Sequence, residues 1–356
     1  MELDLALPPA ELALALVDVP SESGHEGALA DLMAQALTRQ APHLELLRDG
    51  DTLVARTHLG RPERVILAGH LDTVPAAGNV PGRLAAGTLW GRGSVDMKGG
   101  LAVMAGLARR LTAPRRDITY VFYDHEEVAA ELSGLGRTVA HHPDWIGGGL
   151  AVLGEPTAGA IEGGCNGTVR VELTAEGVAA HSARSWLGVN AIHQAAPILD
   201  RLAAFEAETV RVDGLDYREG LNAVGIEGGI AGNVVPDRCV VTVNYRFAPD
   251  KSADDAVARL REWFGGFGFR VTDRADGARP GLDAAPAQDL ARAVADAGGP
   301  APRAKLGWTD VARFSALGIP AVNFGPGDPS LAHADQESCP AAEIDRAARV
   351  LERWLA

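Results

Sequence analysis

The stretch Val65-Ile66-Leu67-Ala68-Gly69-His70-Leu71-Asp72-Thr73-Val74-Pro75 decides how this chain is interpreted. Its first part is an apolar run typical of a buried β-strand, and His70 and Asp72 follow where that strand ends. Residues two apart in an extended segment project to the same side, so the imidazole and the carboxylate can lie next to each other. A metal-binding histidine commonly donates its second ring N–H to such a partner. Since isolated His-x-Asp sequences are mostly incidental, the interpretation depends on the other strand ends.

Two further strand-like segments also lead into carboxylates. Ile118 to Tyr123 is followed by Glu126 and Glu127, and Leu150 to Leu153 is followed by Glu155. Strands that alternate with helices predict a mainly parallel sheet, and such sheets bind ligands beyond the carboxyl ends of their strands. The three carboxylates are therefore expected at the same edge of the sheet as the His-x-Asp pair.

Two more residues are expected at that edge. Asp96 lies in a loop that opens a helix, and His333 lies in the loop after a strand ending at Phe324. Imidazole and carboxylate ligands without cysteine suit Zn²⁺, with Co²⁺ or Mn²⁺ as substitutes. The set is large enough for two ions that share a bridging carboxylate. One member of the adjacent pair Glu126-Glu127 must then stay off the metal and act as general base.

Composition limits the classes of partner. The chain has 356 residues, which favours two domains, and a net charge of −14, which argues against nucleic acid or an anionic membrane surface. Any anionic substrate must therefore be held by local cations. The N-terminus has no basic region typical of a secretory signal, and no apolar run approaches the roughly 18–20 residues of a bilayer span. With three widely spaced cysteines, a reduced, cytoplasmic protein is expected.

The pattern changes character near Gly167. From there the sequence predicts β, α, β, β, α, β, which is a compact α+β unit inserted in a larger α/β domain. The expected boundaries are 167–275 for the insert, and 1–166 with 276–356 for the larger domain. Within these, a continuous helix is expected over Asn190 to Glu206, and a Gly/Pro-rich loop over Ala76 to Gly93.

Several motifs together resemble the zinc aminoacylase and carboxypeptidase superfamily of co-catalytic di-zinc peptidases. The resemblance runs nearly end to end, and the matching segments are Gly69 to Pro75, Gly91-Arg92-Gly93 through Asp96-Met97-Lys98-Gly99-Gly100, Glu126-Glu127, Gly154 to Thr157, and Gly177 to Ser182. The resemblance implies an α/β catalytic domain with a mainly parallel mixed sheet flanked by helices. It also implies that the inserted α+β unit is a lid and dimerisation domain.

The resemblance also implies a role for individual residues. His70, Asp96 and Glu155 would hold one zinc, and Asp96, as bridge, would hold the second with Glu127 and His333. Cobalt can substitute for zinc. Glu126 would be the general base, Asp72 would orient its neighbours, and His181 would reach the active site of the opposite subunit of a homodimer to stabilise the oxyanion. The substrate-binding candidates are Arg246, Asn233, Asn244, Thr309 and Arg313. For Arg246 a salt bridge within the lid is the competing interpretation.

The implied activity is hydrolysis of a linear amide in a small, anionic N-acyl amino acid. Within the family, the segments Phe122 to Val128, Asn244 to Phe247, Gly307 to Phe314, Phe324 to Gly327 and Leu331 to His333 are most similar to members that release succinate from N-succinyl-LL-2,6-diaminopimelate in lysine and peptidoglycan precursor synthesis. Deacetylation of N-acetylornithine and dipeptide hydrolysis are the alternatives within the same class. A catalytically silent metal-binding protein is the alternative from a different class.

Overall fold

The computed structural model describes residues 2–356, so Met1, the first residue of the expected larger domain, lies outside the described part. The chain divides into two compact units. The first contains the described residues up to Gly163 together with Pro280–Arg303 and Arg313–Ala356, and the second contains Gly164–Arg279 and Ala304–Ala312. The second unit thus begins and ends a few residues outside the expected insert, and it takes in a short segment that the sequence had assigned to the larger domain.

The helices are α1 (Pro9–Val17), α2 (Gly27–Gln40), α3 (Lys98–Arg110), α4 (Gly134–His141), α5 (Ala191–Gln194), α6 (Ala196–Ala203), α7 (Ala253–Trp263), α8 (Ala285–Asp296), α9 (Val311–Ala316) and α10 (Ala341–Leu355). The strands up to the middle of the chain are β1 (Glu45–Asp49), β2 (Thr52–Arg56), β3 (Arg64–His70), β4 (Arg83–Ala85), β5 (Thr88–Trp90), β6 (Asp117–Tyr123), β7 (Ala151–Leu153), β8 (Glu162–Gly163) and β9 (Gly167–Glu176). The later strands are β10 (Ala180–His181), β11 (Thr209–Val212), β12 (Leu215–Arg218), β13 (Gly220–Gly228), β14 (Val234–Val235), β15 (Arg238–Phe247), β16 (Gly268–Ala275), β17 (Arg303–Ala304), β18 (Ala321–Asn323) and β19 (Ser338–Pro340).

The first unit is built on a mixed sheet with the order β1-β2-β6-β3-β7-β18-β8-β17. Its central strands β6, β3, β7 and β18 run parallel to one another, whereas β1 and β2 pair antiparallel at one side. Alternate residues of these strands are buried against α1, α2, α3, α8 and α10 in one apolar core. The expected α/β class with a mainly parallel mixed sheet is confirmed, and the parallel order brings several carboxyl ends of strands to one edge.

Helix α3 begins at that edge and is buried over almost its whole length. Glycine makes the close approach possible, because a Cβ at Gly100 would lie 2.1 Å from the carbonyl oxygen of Gly154. Gly154 immediately follows β7 and precedes Glu155. Gly100 therefore lets α3 pack against the end of the strand that leads to Glu155.

The second unit has its own apolar core and an antiparallel sheet with the order β13-β15-β9-β16. Strand β15 alternates buried and half-buried residues as a strand covered on one face should. Helix α7 begins with a capping box, in which the Ser252 hydroxyl accepts from the Asp255 backbone N–H and the Asp255 carboxylate accepts from Ser252 N–H. The hairpin β11-β12 was not expected from the sequence.

Two sequence expectations on secondary structure were wrong. The helix expected over Asn190 to Glu206 is two short helices, α5 and α6, with Pro197 in the first turn of the second. The Gly/Pro-rich loop over Ala76 to Gly93 contains β4 and β5, which pair with β19 from near the end of the chain. Such a pairing depends on contacts distant in sequence, which local patterns do not carry. No helix in the described part of the chain combines the length and apolar character needed to cross a membrane.

Candidate metal centre

His70 is the last residue of β3 and its side chain is only 1% exposed. Its Nδ1 lies 2.9 Å from the carbonyl oxygen of Asp72, and its Nε2 lies 3.1 Å from Oδ1 of Asp96. With Nδ1 directed to a carbonyl oxygen, which only a ring N–H can satisfy, the neutral ring offers Nε2 as a lone pair. The ring is thereby aimed at Asp96.

Four of the expected metal ligands lie together. One ligand atom from each of His70, Asp96 and Glu127 falls within 4.8 Å of the other two. His333 joins them, because its Nε2 lies 2.8 Å from Oε1 of Glu127 and 3.5 Å from Oδ2 of Asp96. Asp96 thus contacts both imidazoles, one through each carboxylate oxygen, as a bridging ligand must.

The protonation equilibria reflect this crowding. Burial lowers the pKa of His70, but contacts with Asp72 and Asp96 outweigh burial and raise that pKa well above its usual range. The Asp96 carboxylate raises the pKa of His333 to about 9. Burial raises the pKa of Asp96, yet the two histidines outweigh burial and hold it low, whereas burial and the Asp96 charge raise the pKa of Glu127. Without a metal ion, bound protons on the imidazoles offset the negative charge of the carboxylates. A divalent cation would replace those protons.

The carboxylate of Asp72 is fully buried and holds the two glutamates in place. Its two oxygens accept hydrogen bonds from the backbone N–H groups of Glu126 and Glu127, each at 3.0 Å, and Ser23 donates its hydroxyl at 2.7 Å. Burial raises the pKa of Asp72, but the adjacent His70 and these N–H donors outweigh it and lower that pKa. Asp72 therefore fixes His70 through its carbonyl group and the glutamate pair through its carboxylate.

Three further residues of the first unit were singled out from the sequence. Glu155 follows β7, is 5% exposed, and lies outside the three-residue group defined above. Glu126 is half-buried, and its negative charge contributes to the raised pKa of His70. Arg313, expected to bind substrate, donates from Nη2 to the carbonyl oxygen of Ala130 at 3.0 Å.

The second unit contains the remaining candidates. His181 is exposed in β10, and its Nδ1 accepts the backbone N–H of Ala183 at 3.1 Å. Asn233 lies beside it, since its carbonyl oxygen accepts the N–H of Ser182 at 2.9 Å. Thr309 is 5% exposed, and its carbonyl oxygen faces the Cys165 thiol at 3.8 Å.

Arg246 and Asn244 are neighbours on one face of β15. Nε of Arg246 donates to Oδ1 of Asn244 at 3.1 Å, and Nδ2 of Asn244 donates to Oγ1 of Thr168 at 3.0 Å. Burial, and next the nearby Arg170 charge, lowers the pKa of Arg246. Within residues 2–356 no carboxylate lies at ion-pair distance from its guanidinium, which disfavours the salt bridge considered above.

Sequence reasoning missed two buried residues that hold the loop carrying Asp96. Glu337 and Arg92 are buried and form an ion pair at 2.9 Å, and Glu337 also accepts the N–H of Asp96. Arg92 lay within a recognised motif and Glu337 lies four residues after His333, so both positions were available as signals. Their role depends on contacts between segments more than 240 residues apart.

The donor set fits a pair of divalent cations that accept nitrogen and oxygen ligands. Two imidazoles and several carboxylates, without cysteine, are brought together at one edge of the sheet, and Asp96 contacts both imidazoles. Imidazole favours zinc and related transition metals over magnesium or calcium.

Comparison with known proteins agrees with this geometry. The model of Peptidase family M20/M25/M40 matches residues 66–356. A putative succinyl-diaminopimelate desuccinylase DapE of Mycobacterium tuberculosis is 52% identical over 355 residues, covering 99% of both chains. A succinyl-diaminopimelate desuccinylase of Corynebacterium glutamicum is 47% identical over 364 residues, covering 99% of this chain and 97% of the relative. The crystal structure of aminopeptidase PepT from Bacillus cereus has the same fold, with a TM-score of 0.78 at 21% identity, and the match covers 98% of this chain and 97% of that one. The chain is therefore a member of Peptidase family M20/M25/M40.

Proposed function

We propose that the chain is a di-zinc amidohydrolase that converts N-succinyl-LL-2,6-diaminopimelate to succinate and LL-2,6-diaminopimelate. The observation that carries this proposal is the convergence of His70, Asp96 and Glu127 in a chain that matches the mycobacterial desuccinylase over almost its whole length. The reaction is hydrolysis of a linear amide, and it serves the synthesis of lysine and peptidoglycan precursors.

The metal ligands that we propose are the five residues expected from the sequence, four of which lie together in the structure. His70, Asp96 and Glu155 would hold one zinc, and Asp96, Glu127 and His333 would hold the other; cobalt could substitute. The contact of Asp96 with both imidazoles supports its role as the bridge. Zinc ions bound there supply Lewis acidity toward the amide carbonyl and toward the attacking water.

Glu126 moves the proton. Its carboxylate takes a proton from the attacking water and then returns it to the nitrogen of the leaving amine, as a general base and acid in turn. The backbone hydrogen bonds from Glu126 and Glu127 to the buried Asp72 support this division of roles, because they fix two adjacent side chains that must point to different partners. Asp72 is thus a positioning residue for both.

Recognition of the substrate requires local cations, because the chain has a net charge of −14. Arg246 is the leading candidate: its guanidinium is half-buried, and its forked donors suit a carboxylate. Asn244 orients Arg246 through the hydrogen bond to Nε. Asn233, Thr309 and Arg313 are the further candidates for contacts with the polar ends of the substrate.

The active form is a homodimer made through the second unit. His181 is suited to a donor role in that dimer, because its Nδ1 accepts a backbone N–H and the neutral ring therefore carries its proton on Nε2. That N–H can donate to the oxyanion in the active site of the opposite subunit. A closed two-fold arrangement gives each subunit the histidine of the other.

Two other activities in the same class remain to be separated by experiment. Deacetylation of N-acetylornithine and hydrolysis of dipeptides need the same metal chemistry and differ in the groups that bind the substrate ends. A catalytically silent, metal-binding protein is disfavoured, because the general base and the five metal-ligand positions are all filled by suitable residue types.

The test is a substrate panel with the purified, zinc-loaded protein. We expect cleavage of N-succinyl-LL-2,6-diaminopimelate with a kcat/KM well above the values for N-acetylornithine and for dipeptides. Arg246→Met should reduce kcat/KM for the succinylated substrate while the bound zinc stays at wild-type content. Faster cleavage of N-acetylornithine than of the succinylated substrate by the wild type would contradict the assignment.

A further inference from the structure

The carboxylate of Glu337 lies directly behind Asp96. It is 1% exposed, and its Oε1 accepts the backbone N–H groups of Val95 at 2.9 Å and Asp96 at 3.1 Å. Its Oε2 accepts from Nη1 of Arg92 at 2.9 Å. Every hydrogen bond to Glu337 therefore comes from the loop that carries the bridging carboxylate.

Arg92 extends this network to two further loops. Its side chain is 4% exposed, Nη1 also donates to the carbonyl oxygen of Ala334 at 3.2 Å, and Nε donates to the carbonyl oxygen of Pro75 at 3.2 Å. Ala334 is the residue after His333, and Pro75 closes the loop that begins at His70. The guanidinium thus joins the loops of both histidines to the loop of Asp96.

The small sheet β19-β5-β4 holds the two partners in register. Ser338 of β19 pairs with Trp90 of β5, so Glu337 and Gly91 meet just beyond the paired residues. The N–H of Gly91 donates to the carbonyl oxygen of Glu337 at 3.1 Å. The paired backbone thereby holds the Arg92 and Glu337 side chains close enough to form their ion pair.

A buried ion pair of this kind is a poor way to gain stability, because removing two charges from water costs about as much as their attraction returns. Such a pair does fix positions. Metal ligands must be held to within about half an ångström of the productive geometry, and groups behind the ligands commonly contribute roughly 10–100-fold to metal affinity.

We propose that Glu337 and Arg92 are a positioning pair that sets the separation of Asp96, His70 and His333 and thereby the metal affinity of the centre. The inference rests on the proposed function, since it concerns the affinity of the metal ions that function requires. We expect no contact of either residue with the substrate, because both side chains are buried. Their effect passes through the loops that carry the ligands.

A merely structural role would look different, and the chain offers a matched control. Asp117 at the start of β6 is also a buried carboxylate that accepts two backbone N–H groups, those of Leu59 and Arg61, each at 2.9 Å. An arginine, Arg64, also lies near it, at 3.8 Å. The loop that Asp117 holds carries none of the proposed ligands. It lies at the start of β6, whereas Glu126 and Glu127 follow the end of that strand.

The experiment compares Glu337→Gln, Arg92→Lys and Asp117→Asn in the full chain. In the first variant the amide N–H₂ must face either Arg92 or the backbone N–H groups, so one set of contacts is lost. In the second the charge stays, but one ammonium nitrogen cannot occupy the positions of both Nη1 and Nε, so at least one of the three contacts is lost. The measurements are the zinc affinity, from competition with a chromogenic chelator, and the urea midpoint of the metal-stripped chain.

We expect Glu337→Gln and Arg92→Lys to weaken zinc binding by roughly 10–100-fold. Asp117→Asn should lower the urea midpoint and leave the zinc affinity within about twofold of wild type. If Glu337→Gln does not fold, Arg92→Lys gives the result by itself. Unchanged zinc affinity in the two variants, or an equal loss in Asp117→Asn, would overturn the inference and leave the proposed function intact. A wild-type chain that binds no zinc would overturn both.

Discussion

Two regions, one in each unit, depart from the usual distribution of side chains in opposite directions. At the strand ends of the first unit, charged groups such as His70, Asp72 and Glu337 are almost fully buried. Along β13 of the second unit, apolar groups are exposed: Val224 is 59% exposed and Ile226 is 52% exposed. A soluble protein ordinarily avoids both, because buried charges lose hydration and exposed apolar patches attract other surfaces.

The contrast between buried charges and exposed apolar residues indicates a different kind of partner for each region. Burying carboxylates beside imidazoles becomes favourable when cations bind among them, which fits the metal centre of the first unit. Exposing apolar residues on β13, one of the two edge strands of its sheet, becomes favourable when another chain covers them. The proposed homodimer would account for the exposed strand of the second unit, as bound metal ions would account for the buried charges of the first.

The largest expected effect tests the chemical side of this comparison. Glu126→Gln should lower kcat by about 10²–10⁴-fold, because general acid–base catalysis is typically worth that much. Zinc content, measured by elemental analysis, should remain near two ions per subunit. Glu131→Gln, a change at an exposed glutamate in the segment that follows, should leave both quantities at wild-type values. Loss of zinc together with activity would mean that Glu126 is a ligand.

The next largest effect tests whether His181 of one subunit acts in the active site of the other subunit. His181→Ala should lower kcat by about 10²–10³-fold, the usual cost of removing an oxyanion donor. His193→Ala, at another exposed histidine of the same unit, should not. Mixing inactive His181→Ala with inactive Glu126→Gln under subunit exchange should restore part of the activity, because one site of each mixed dimer then has both groups. Mixed dimers identified by mass that stay inactive would contradict a role across subunits.

A smaller effect is expected from the exposed edge strand. Ile226→Glu should raise the dissociation constant of the dimer by about tenfold or more, since burying an isoleucine is worth roughly 1.5–3 kcal/mol and 1.4 kcal/mol is a factor of ten. Analytical ultracentrifugation measures this directly. Leu317→Glu, at an exposed leucine of the first unit, is the matched change and should leave the dimer unaltered. Equal weakening by both changes would place the interface elsewhere.

The smallest effect concerns a charge that is buried in the second unit without any metal. Glu219 is fully buried and pairs with Lys251 at 2.5 Å, while the Tyr245 hydroxyl donates to it at 2.7 Å. Burial raises the pKa of Glu219, but these partners and the Ala248 N–H outweigh burial and lower it. The folded-state pKa lies below the unfolded one, so the stabilisation is present above the unfolded value and is lost as the pH falls through the folded value.

The free energy of unfolding of the wild type should fall on acidification below about pH 4.5. In Glu219→Gln that fall should be smaller, because the glutamine does not titrate. The measurement is the free energy of urea unfolding of the two proteins between pH 7 and pH 3. We expect the difference between them to be largest at neutral pH and to shrink as the pH falls. A difference that is the same at every pH would mean that the ionised form of Glu219 has no special contribution.

Local sequence patterns predicted much of the fold correctly. Helices α1 and α10 and strand β15 begin and end where the apolar periodicity predicted. These elements have strong internal signals, because one face of each is apolar along its length. The two short helices in place of one long helix, and the sheet β19-β5-β4, were missed because proline placement and distant pairing decided them.

The sequence by itself determined the family, and it predicted the residue types of the candidate metal centre and the division of Glu126-Glu127 into a general base and a metal ligand. It could do so because strand ends and short motifs carry the chemistry locally. Only the tertiary structure decided that the Asp72 carboxylate holds the backbone of that pair, and that Arg92 and Glu337 join the loops of Asp96 and His333. Those contacts join segments far apart in the chain. Local sequence patterns do not show which charged side chains will be removed from water when the chain folds.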